Sequence, residues 1–339
     1  MTVPRPLKDI SRIARHAQTS GFFSGLSFGE TGRTAFLNAA VASQAAPPSL
    51  EFSTGVAVAF PRSPFIAAAA AWELQEATDG KFRLGLGTQV RTHIIRRYGV
   101  AFDHPGPRLR DYVLAVKACF AAFRTGELDH HGDFYDLDFI PPPQWSPGPI
   151  AVPDPKVDIA AVNLWMLRMA GEVADGLHVN IIGEPGYLAR HVIPKIAEGA
   201  AISGRMPADI AVMVPVMTIV GDSDEDRYRQ RERARAELSF FASTPPGYSF
   251  IFDEAGFEGG TTARIREKQR AGDLDGMASE ITDDHLGTFA TESTWDGLEG
   301  ALVDKYEGIA TRLIFFYNAL HDMESFERYG EVARRLSVR

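Results

Sequence analysis

Short apolar runs and runs with helical spacing alternate along the whole chain. The runs that read as strands are Thr2-Val3, Phe22 to Phe28, Leu50 to Ala59, Phe82 to Gly85, Val157 to Ala161, Gly176 to Asn180, Ile210 to Val220 and Arg312 to Phe316. Between them the spacing predicts helices over Pro6 to Thr19, Thr34 to Ser43, Pro64 to Thr78, Arg108 to Arg124, Leu164 to Ala174, Pro185 to Gly199, Asp224 to Phe241 and Trp295 to Glu307, with a closing helix from Met323 to Leu336. Punctuation supports two of the starts. Ser63-Pro64 is an N-cap followed by proline at the first helical position, and Asp222 with Glu225 has the spacing of a capping box. Strand–helix repetition of this kind belongs to α/β proteins with a parallel sheet. Eight such units favour a closed (β/α)8 TIM barrel over an open sheet, and one domain over residues 1–339.

Two stretches exceed a minimal barrel. Residues 127–156, with seven prolines, read as a short hairpin around His130 to Asp136 and then a long extended loop after strand four. Residues 243–293 read as an insertion after strand seven and its helix. Long loops in a compact domain are usually functional walls or lids.

Composition narrows the function classes. With 45% hydrophobic and 23% charged residues the chain is globular, which removes disordered and collagen-like readings. A formal net charge of −9 with no Lys/Arg run argues against nucleic acid as a partner, since that needs clustered positive charge. The single cysteine, Cys119, lies in the apolar run Val113 to Phe120, so it reads as a buried, inert thiol in a reducing compartment. The N-terminal residues lack an apolar signal core, and the longest apolar stretch, Phe65 to Trp72, is too short to span a bilayer. A cytoplasmic protein without a membrane partner is expected.

Several motifs invite chemistry and fail a physical test. Gly25-Leu-Ser-Phe-Gly29 matches a nucleophile elbow, but the alternation Phe22, Ser24, Leu26, Phe28 runs through Ser27, whereas an elbow ends its strand at the serine. Gly85-Leu-Gly87 resembles a dinucleotide loop, yet its third glycine would fall on Val90. His130-His131 with Asp129, Asp133 and Asp136 has metal-ligand residue types but no helical pairing or defined third ligand, so no metal is assigned.

The predicted strand ends are more informative, because chemistry in a parallel barrel collects there. They carry Glu30, Gly55-Val56 through Phe60, Gly87-Thr88 with His93, Ala160-Ala161-Val162-Asn163, and Asn180 with Gly183. The set is rich in small residues and amides and holds neither a nucleophile nor a carboxylate pair. It suits a bound organic cofactor that brings its own reactivity. Asn163, opening a helix, leaves amide N–H groups able to meet a phosphate.

In this order, Ser53-Thr-Gly-Val-Ala-Val-Ala-Phe-Pro-Arg-Ser-Pro64, Lys81-Phe-Arg-Leu-Gly-Leu-Gly-Thr88, His104-Pro-Gly-Pro-Arg-Leu-Arg110, Gly132-Asp-Phe-Tyr135, Ala170-Gly-Glu-Val-Ala-Asp-Gly176 and Arg312-Leu-Ile-Phe-Phe-Tyr317 are similar to the luciferase-like monooxygenase superfamily, in its branch of coenzyme F420-dependent oxidoreductases. The resemblance covers nearly the whole chain. It implies a (β/α)8 barrel with an insertion after strand seven, a homodimer, and F420, or alternatively FMN, at the C-terminal mouth. It further implies a non-prolyl cis peptide at Gly55-Val56 behind the central ring, Thr88 and His93 hydrogen-bonding the ring or substrate, Ala160 to Asn163 beneath ring and tail, Asn180 to Gly183 as a phosphate loop, and Glu30 near the reacting ring. Relatives commonly have Gly-Pro and a basic residue where this chain has Asn163-Leu164-Trp165.

The expectation is therefore hydride transfer between F420 and a small organic substrate. Glu30 and His93 are the candidates for proton transfer or substrate orientation. Phe60, Trp145, Trp165 and Tyr248 are the aromatic residues expected to wall the pocket, which suits an apolar or aromatic substrate. The rival is an FMNH2-dependent monooxygenase that uses O2 on the same barrel. A cofactor-binding or sensory protein without turnover is the alternative from another class.

Overall fold

Among the described residues the strands that the apolar runs form pair parallel to their neighbours, and the one antiparallel pair joins two strands of two residues each. The computed structural model describes residues 6–20, 23–46, 50–244, 248–257, 260–315 and 323–337. The expected strand Thr2-Val3, the residue Phe22 and the terminal Phe316-Tyr317 lie outside the described residues. The chain falls into two compact units, one of Met1–Ala161, Arg168–His178 and Ile196–Ile210, the other of Val162–Leu167, Val179–Lys195 and Ala211–Arg339.

The first unit holds β1 (Gly25–Phe28), β2 (Glu51–Thr54), β3 (Ala57–Val58), β4 (Phe82–Gly87), the hairpin β5 (His130–His131) and β6 (Asp136–Leu137), β7 (Lys156–Ala160) and β8 (Gly176–His178). Their order is β1-β2-β4-β7-β8, with β3 a further partner of β4. Because strand side chains alternate, register decides what each face shows. Leu26 pairs with Phe52, Phe52 with Phe82, Leu84 with Val157, and Leu86 with Ile159, which pairs with Leu177, making one apolar face. Apart from half-buried Leu26, each of these side chains is almost fully buried, which stabilises the unit by roughly 1.5–3 kcal/mol per residue.

The opposite face is small or polar, with Ser27 beside Ser53, Ser53 beside Arg83, and Gly85 beside Asp158. Here Arg83 grips Asp158 with two bonds, Nε to Oδ2 at 2.8 Å and Nη2 to Oδ1 at 2.5 Å. Burial pulls the Arg83 pKa down, while the hydrogen bond and charge of Asp158 pull it up, and the carboxylate wins. His178 stands 3.9 Å from the same carboxylate.

The proline-rich segment after the hairpin is strapped to neighbouring helices. Trp72 Nε1 and Gln75 Nε2, on the helix Pro64–Ala77, donate to the carbonyls of Gly148 and Pro153, both at 2.8 Å. Arg124 donates to the carbonyls of Ile150 and Val152 and pairs with Asp154. Its extended backbone thus finds partners on two helices, and it forms a fixed layer rather than a lid.

The second unit is organised by β9 (Ala211–Val220). Along it run β10 (Ala290–Ser293), parallel to Met217–Val220, and β11 (Arg312–Phe315), parallel to Met213–Val216. Residues 243–293 carry the helices Ser249–Glu254, Thr261–Ala271, Leu274–Ser279 and Asp283–Phe289. They end in β10, so the last four residues of the expected insertion belong to the sheet. Ala-Thr-Glu-Ser has no apolar alternation to announce a strand. The segment packs through an aromatic cluster in which Phe252 lies 5.0 Å from Phe257 and 5.2 Å from Phe289.

Other local readings shift by a residue or break. Ser63 caps its helix, accepting from the Ile66 amide with Pro64 at the first turn. At Asp224–Ala242, however, the cap is Ser223, which accepts from the Asp226 amide, and not Asp222 with Glu225. A serine hydroxyl next to the helix does the work the acid two residues before it was expected to do. The helix expected over Pro185 to Gly199 is interrupted by a π-helical turn at Leu188–Val192. Leu50 to Ala59, expected as one strand, divides into β2 and β3. In Gly25-Leu-Ser-Phe-Gly29 the strand continues to Phe28 and the next helix begins at Ala35, so Ser27 occupies no elbow.

Replacing Asp158 by Ala should lower unfolding stability by about 3–5 kcal/mol, the loss expected when one partner of a buried pair is removed, as read by urea unfolding. Cys119 is fully buried and burial pushes its thiol up to about 12. At pH 8 an aromatic disulfide reagent should therefore label the native protein negligibly and the urea-unfolded protein stoichiometrically, because only the thiolate reacts.

Candidate functional site

Between its pairings with β4 the second strand carries one residue too many. Ser53 pairs with Arg83 and Ala57 with Leu86, so four steps on one strand match three on the other, which defines a bulge over residues 54–56. The Gly55-Val56 peptide within it is cis. The neighbouring backbone holds the bulge from both sides. The Gly55 amide donates to the Phe28 carbonyl at 2.8 Å, and the Glu30 amide donates to the Val56 carbonyl at 3.2 Å.

Small neighbours make room for it. A Cβ on Gly55 would collide with the Ser27 hydroxyl, and one on Gly87 would lie 2.7 Å from Val56 Cγ2. Thr54 donates its hydroxyl to the Gly85 carbonyl at 2.7 Å, and a Cβ on Gly85 would lie 2.7 Å from His178 Nε2. Ala160 follows in register, paired with His178. Among the described residues the buried Ser27 hydroxyl has no hydrogen-bond partner.

Glu30 clamps the far side of the bulge. Its Oε2 accepts from the Val58 amide at 2.7 Å and from Arg62 Nη1 at 2.8 Å, while Oε1 accepts from Arg62 Nη2 at 2.5 Å. Both oxygens are thus committed, and Arg62 also donates to the Val58 carbonyl. In this arrangement Glu30 is a positioning residue for β3. Nothing in the sequence pointed to Arg62, which lies 32 residues away.

Beyond β4 the chain turns through Thr88 and Gln89, the latter in the left-handed region with φ 56° and its own Oε1 accepting from the Val90 amide. A short helix, Arg91–Arg96, follows, which the spacing analysis missed. His93 sits on it, exposed, with Thr92, Arg96 and Arg97 around one surface cavity of about 270 Å³. Arg97 Nη2 donates to the Thr31 carbonyl at 2.7 Å, tying this helix to the residue after Glu30. The expected residues Glu30, Gly55, Val56, Gly87, Thr88, His93, Ala160 and Ala161 all belong to the first unit.

Val162, Asn163, Asn180 and Gly183 belong to the second. Asn163 caps the helix Leu164–Val173 by accepting from the Met166 amide at 2.9 Å, as its position in the sequence suggests. The Val162 carbonyl accepts from the Tyr187 hydroxyl at 2.5 Å, and burial, with the charge of Glu254, raises the Tyr187 pKa. Asn180 closes a turn in which the Ile182 amide donates to Oδ1 and the Gly183 amide to the carbonyl. The next residue, Glu184, accepts from the amides of Gly186 and Tyr187. The amides of the 180–183 turn are thus taken up by Asn180 itself, and those of Gly186 and Tyr187 by the Glu184 carboxylate.

The aromatic residues divide. Phe60 is buried, edge-on to Phe102 at 6.1 Å and under the Arg108 guanidinium at 4.6 Å, so it supports the rim more than it walls a space. Trp145 is 77% exposed on a 3-10 turn and encloses nothing. Trp165 is 40% exposed on the first turn of its helix. Tyr248 is half-buried at the start of Ser249–Glu254, and the burial it has raises its pKa.

Comparison with known proteins decides the family. Residues 1–312 match the luciferase-like monooxygenase family. The chain belongs to it. It is an oxidoreductase of this family. Uncharacterized proteins of Mycobacterium bovis and Mycobacterium tuberculosis are each 33% identical over 319 residues, 94% of this chain and 92% of theirs. Among solved structures, the coenzyme F420-dependent tetrahydromethanopterin reductase of Methanopyrus kandleri is similar with a TM-score of 0.79 at 17% identity, covering 96% of this chain and 94% of that one. The oxygenating constituent of 3,6-diketocamphane monooxygenase of Pseudomonas putida, solved with FMN, is similar with a TM-score of 0.64 at 16% identity, covering 99% and 94%. At such identities the likeness shows the fold, an α/β TIM barrel of the luciferase-like kind.

Replacing Glu30 by Gln should cost about 2–3 kcal/mol in urea unfolding, somewhat less than for a fully buried pair because Arg62 keeps 22% of its side chain in water. The double variant Glu30→Gln/Arg62→Met should regain most of that loss, since the orphaned charge is then removed. Equal losses in the single and double variants would show that the carboxylate acts through Val58 alone.

Proposed function

We propose that this oxidoreductase transfers a hydride between coenzyme F420 and a small organic substrate at the strand-end rim of the first unit. The observation that carries the reading is the row of small residues, Gly55, Gly87 and Ala160, beside a bulge fixed by Glu30. A planar ring needs a backbone surface without projecting side chains, and these residues supply one. The donor set fits a flavin-type group, with amides and hydroxyls and no free carboxylate pair. When bound, the deazaflavin supplies hydride chemistry.

The chain's own part is placement. Glu30 and Arg62 hold β3, so that Val56 and Val58 keep their positions against β4. Thr88 and His93, on the turn and helix that follow, are left to meet ring or substrate. Holding reactants in a productive orientation is the larger share of what such a site adds.

The second reading is an FMNH2-dependent monooxygenase, which the FMN-bound relative on the same fold favours. The higher structural similarity to the F420-dependent reductase supports the deazaflavin. Anaerobic titration of the protein with F420 and with FMN in separate cells, followed by fluorescence quenching, tests the choice. Saturable binding of F420 with little response to FMN is expected. Binding of FMN alone, followed by substrate-dependent O2 uptake, would move the assignment to the monooxygenase. Binding of neither would overturn both.

A further inference from the structure

Several arginines of the first unit are paired with acids. Arg62, Arg83, Arg110 and Arg124 have Glu30, Asp158, Glu172 and Asp154. Around the helix Arg91–Arg96 this stops. Arg91, Arg96 and Arg97 are exposed, and among the described residues none makes an ion pair with a carboxylate. In a chain of net charge −9 such a cluster is against the trend. The only acid on the loop beyond the helix, Asp103, makes no ion pair with them either.

Two of the guanidinium groups are held by backbone. Arg97 donates to the Thr31 carbonyl at 2.7 Å and lies over the Tyr98 ring, and Arg91 donates to the Phe102 carbonyl at 3.0 Å. One bond each leaves most of their five donors unused. Thr92 and Arg96, like His93 and Arg97, are four residues apart and share a helix face, and these four line the surface cavity. Cations near a helix C-terminus are favoured by its dipole, which accounts for Arg96 and Arg97. It does not account for Arg91 at the opposite end. Arg96 and Arg97 are adjacent along the chain, and an anion would offset the charge of both.

We propose that the cavity of Thr92, His93, Arg96 and Arg97 binds an anionic group, a carboxylate or phosphate, carried by the substrate. The assignment rests on the oxidoreductase reading and narrows it to substrates with an acidic end. The helix begins at the C-terminal end of β4 and is tied through Thr31 to the residue beside Glu30, so the anion would dock on the rim that carries the bulge. Guanidinium groups with a hydroxyl and an imidazole suit a planar or tetrahedral oxyanion through charge-assisted bonds. The acidic tail of a cofactor offers the same chemistry, and the test separates the two sources.

Inorganic phosphate is titrated into the full chain at constant pH and ionic strength, and the Cε1–H signal of His93 is followed by NMR in histidine-labelled protein. Affinities for F420 and FMN are measured in parallel. Phosphate should move the His93 signal saturably and leave that of buried His178 in place. In Arg96→Gln/Arg97→Gln the phosphate affinity should fall by about tenfold or more, while affinity for whichever cofactor binds stays within about twofold of the unaltered protein. An unaltered His178 signal shows that this variant is folded. No saturable response of His93, or the same response in the variant, would overturn the site. A parallel fall in cofactor affinity would give the anion to the cofactor and overturn the assignment to substrate. Failure of the unaltered protein to bind either cofactor would sink the oxidoreductase reading, whereas the phosphate response judges the anion site separately.

Discussion

Four residues of one strand have to be fitted against three of the next, and the arrangement of the first unit's rim follows from that mismatch. A bulge pushes backbone off the sheet, so whatever lies beside it must be small. Glycine at residues 55, 85 and 87 meets this need, because a Cβ at any of them would overlap or crowd Ser27, the Thr54 carbonyl, His178 or Val56. The backbone bonds of Phe28 and Glu30 then fix where the bulge sits. The small-residue platform and the clamp are two answers to one steric problem.

Among the described residues of the first unit, Asp111, Glu30 and Asp158 are buried carboxylates, and the last two are each closed on an arginine. Arg83 takes both oxygens of Asp158 on the polar face of the sheet, and Arg62 takes both oxygens of Glu30 at the bulge. A carboxylate with both oxygens engaged by a guanidinium serves poorly as a proton shuttle, since releasing it would leave a buried cation. That leaves the catalytic burden with a bound group and with exposed residues on loops. Rigid strand ends and variable loops are the usual division of labour in a barrel, and here the division can be followed residue by residue.

How much of this was legible in the sequence depends on range. Strand–helix alternation, the Ser63-Pro64 start and the Asn163 cap are local signals, and each appears where the pattern put it. β10 stayed hidden because Ala-Thr-Glu-Ser carries no apolar alternation, and its strand character comes from pairing with Met217–Val220. The clamp stayed hidden for a different reason. Glu30 and Arg62 are 32 residues apart, and Arg83 and Asp158 are 75 apart, so no periodicity records that they meet. Glu30 was visible as a carboxylate at a strand end, but its partner, and hence its role, was not.

Fold likeness carries less to the site than the high structural overlap suggests. Overlap at 17% identity shows a shared fold in which most residues differ. The Asn180–Gly183 turn illustrates the gap. Its place in the chain matches a phosphate loop by resemblance, yet the Ile182 and Gly183 amides donate to Asn180 within the turn, and the Gly186 and Tyr187 amides just beyond it donate to Glu184. In the first unit, among the described residues, the guanidinium groups of Arg91, Arg96 and Arg97 are exposed and make no ion pair with a carboxylate. A shared fold alone therefore does not fix where a unit carries exposed cations or where its acids are engaged.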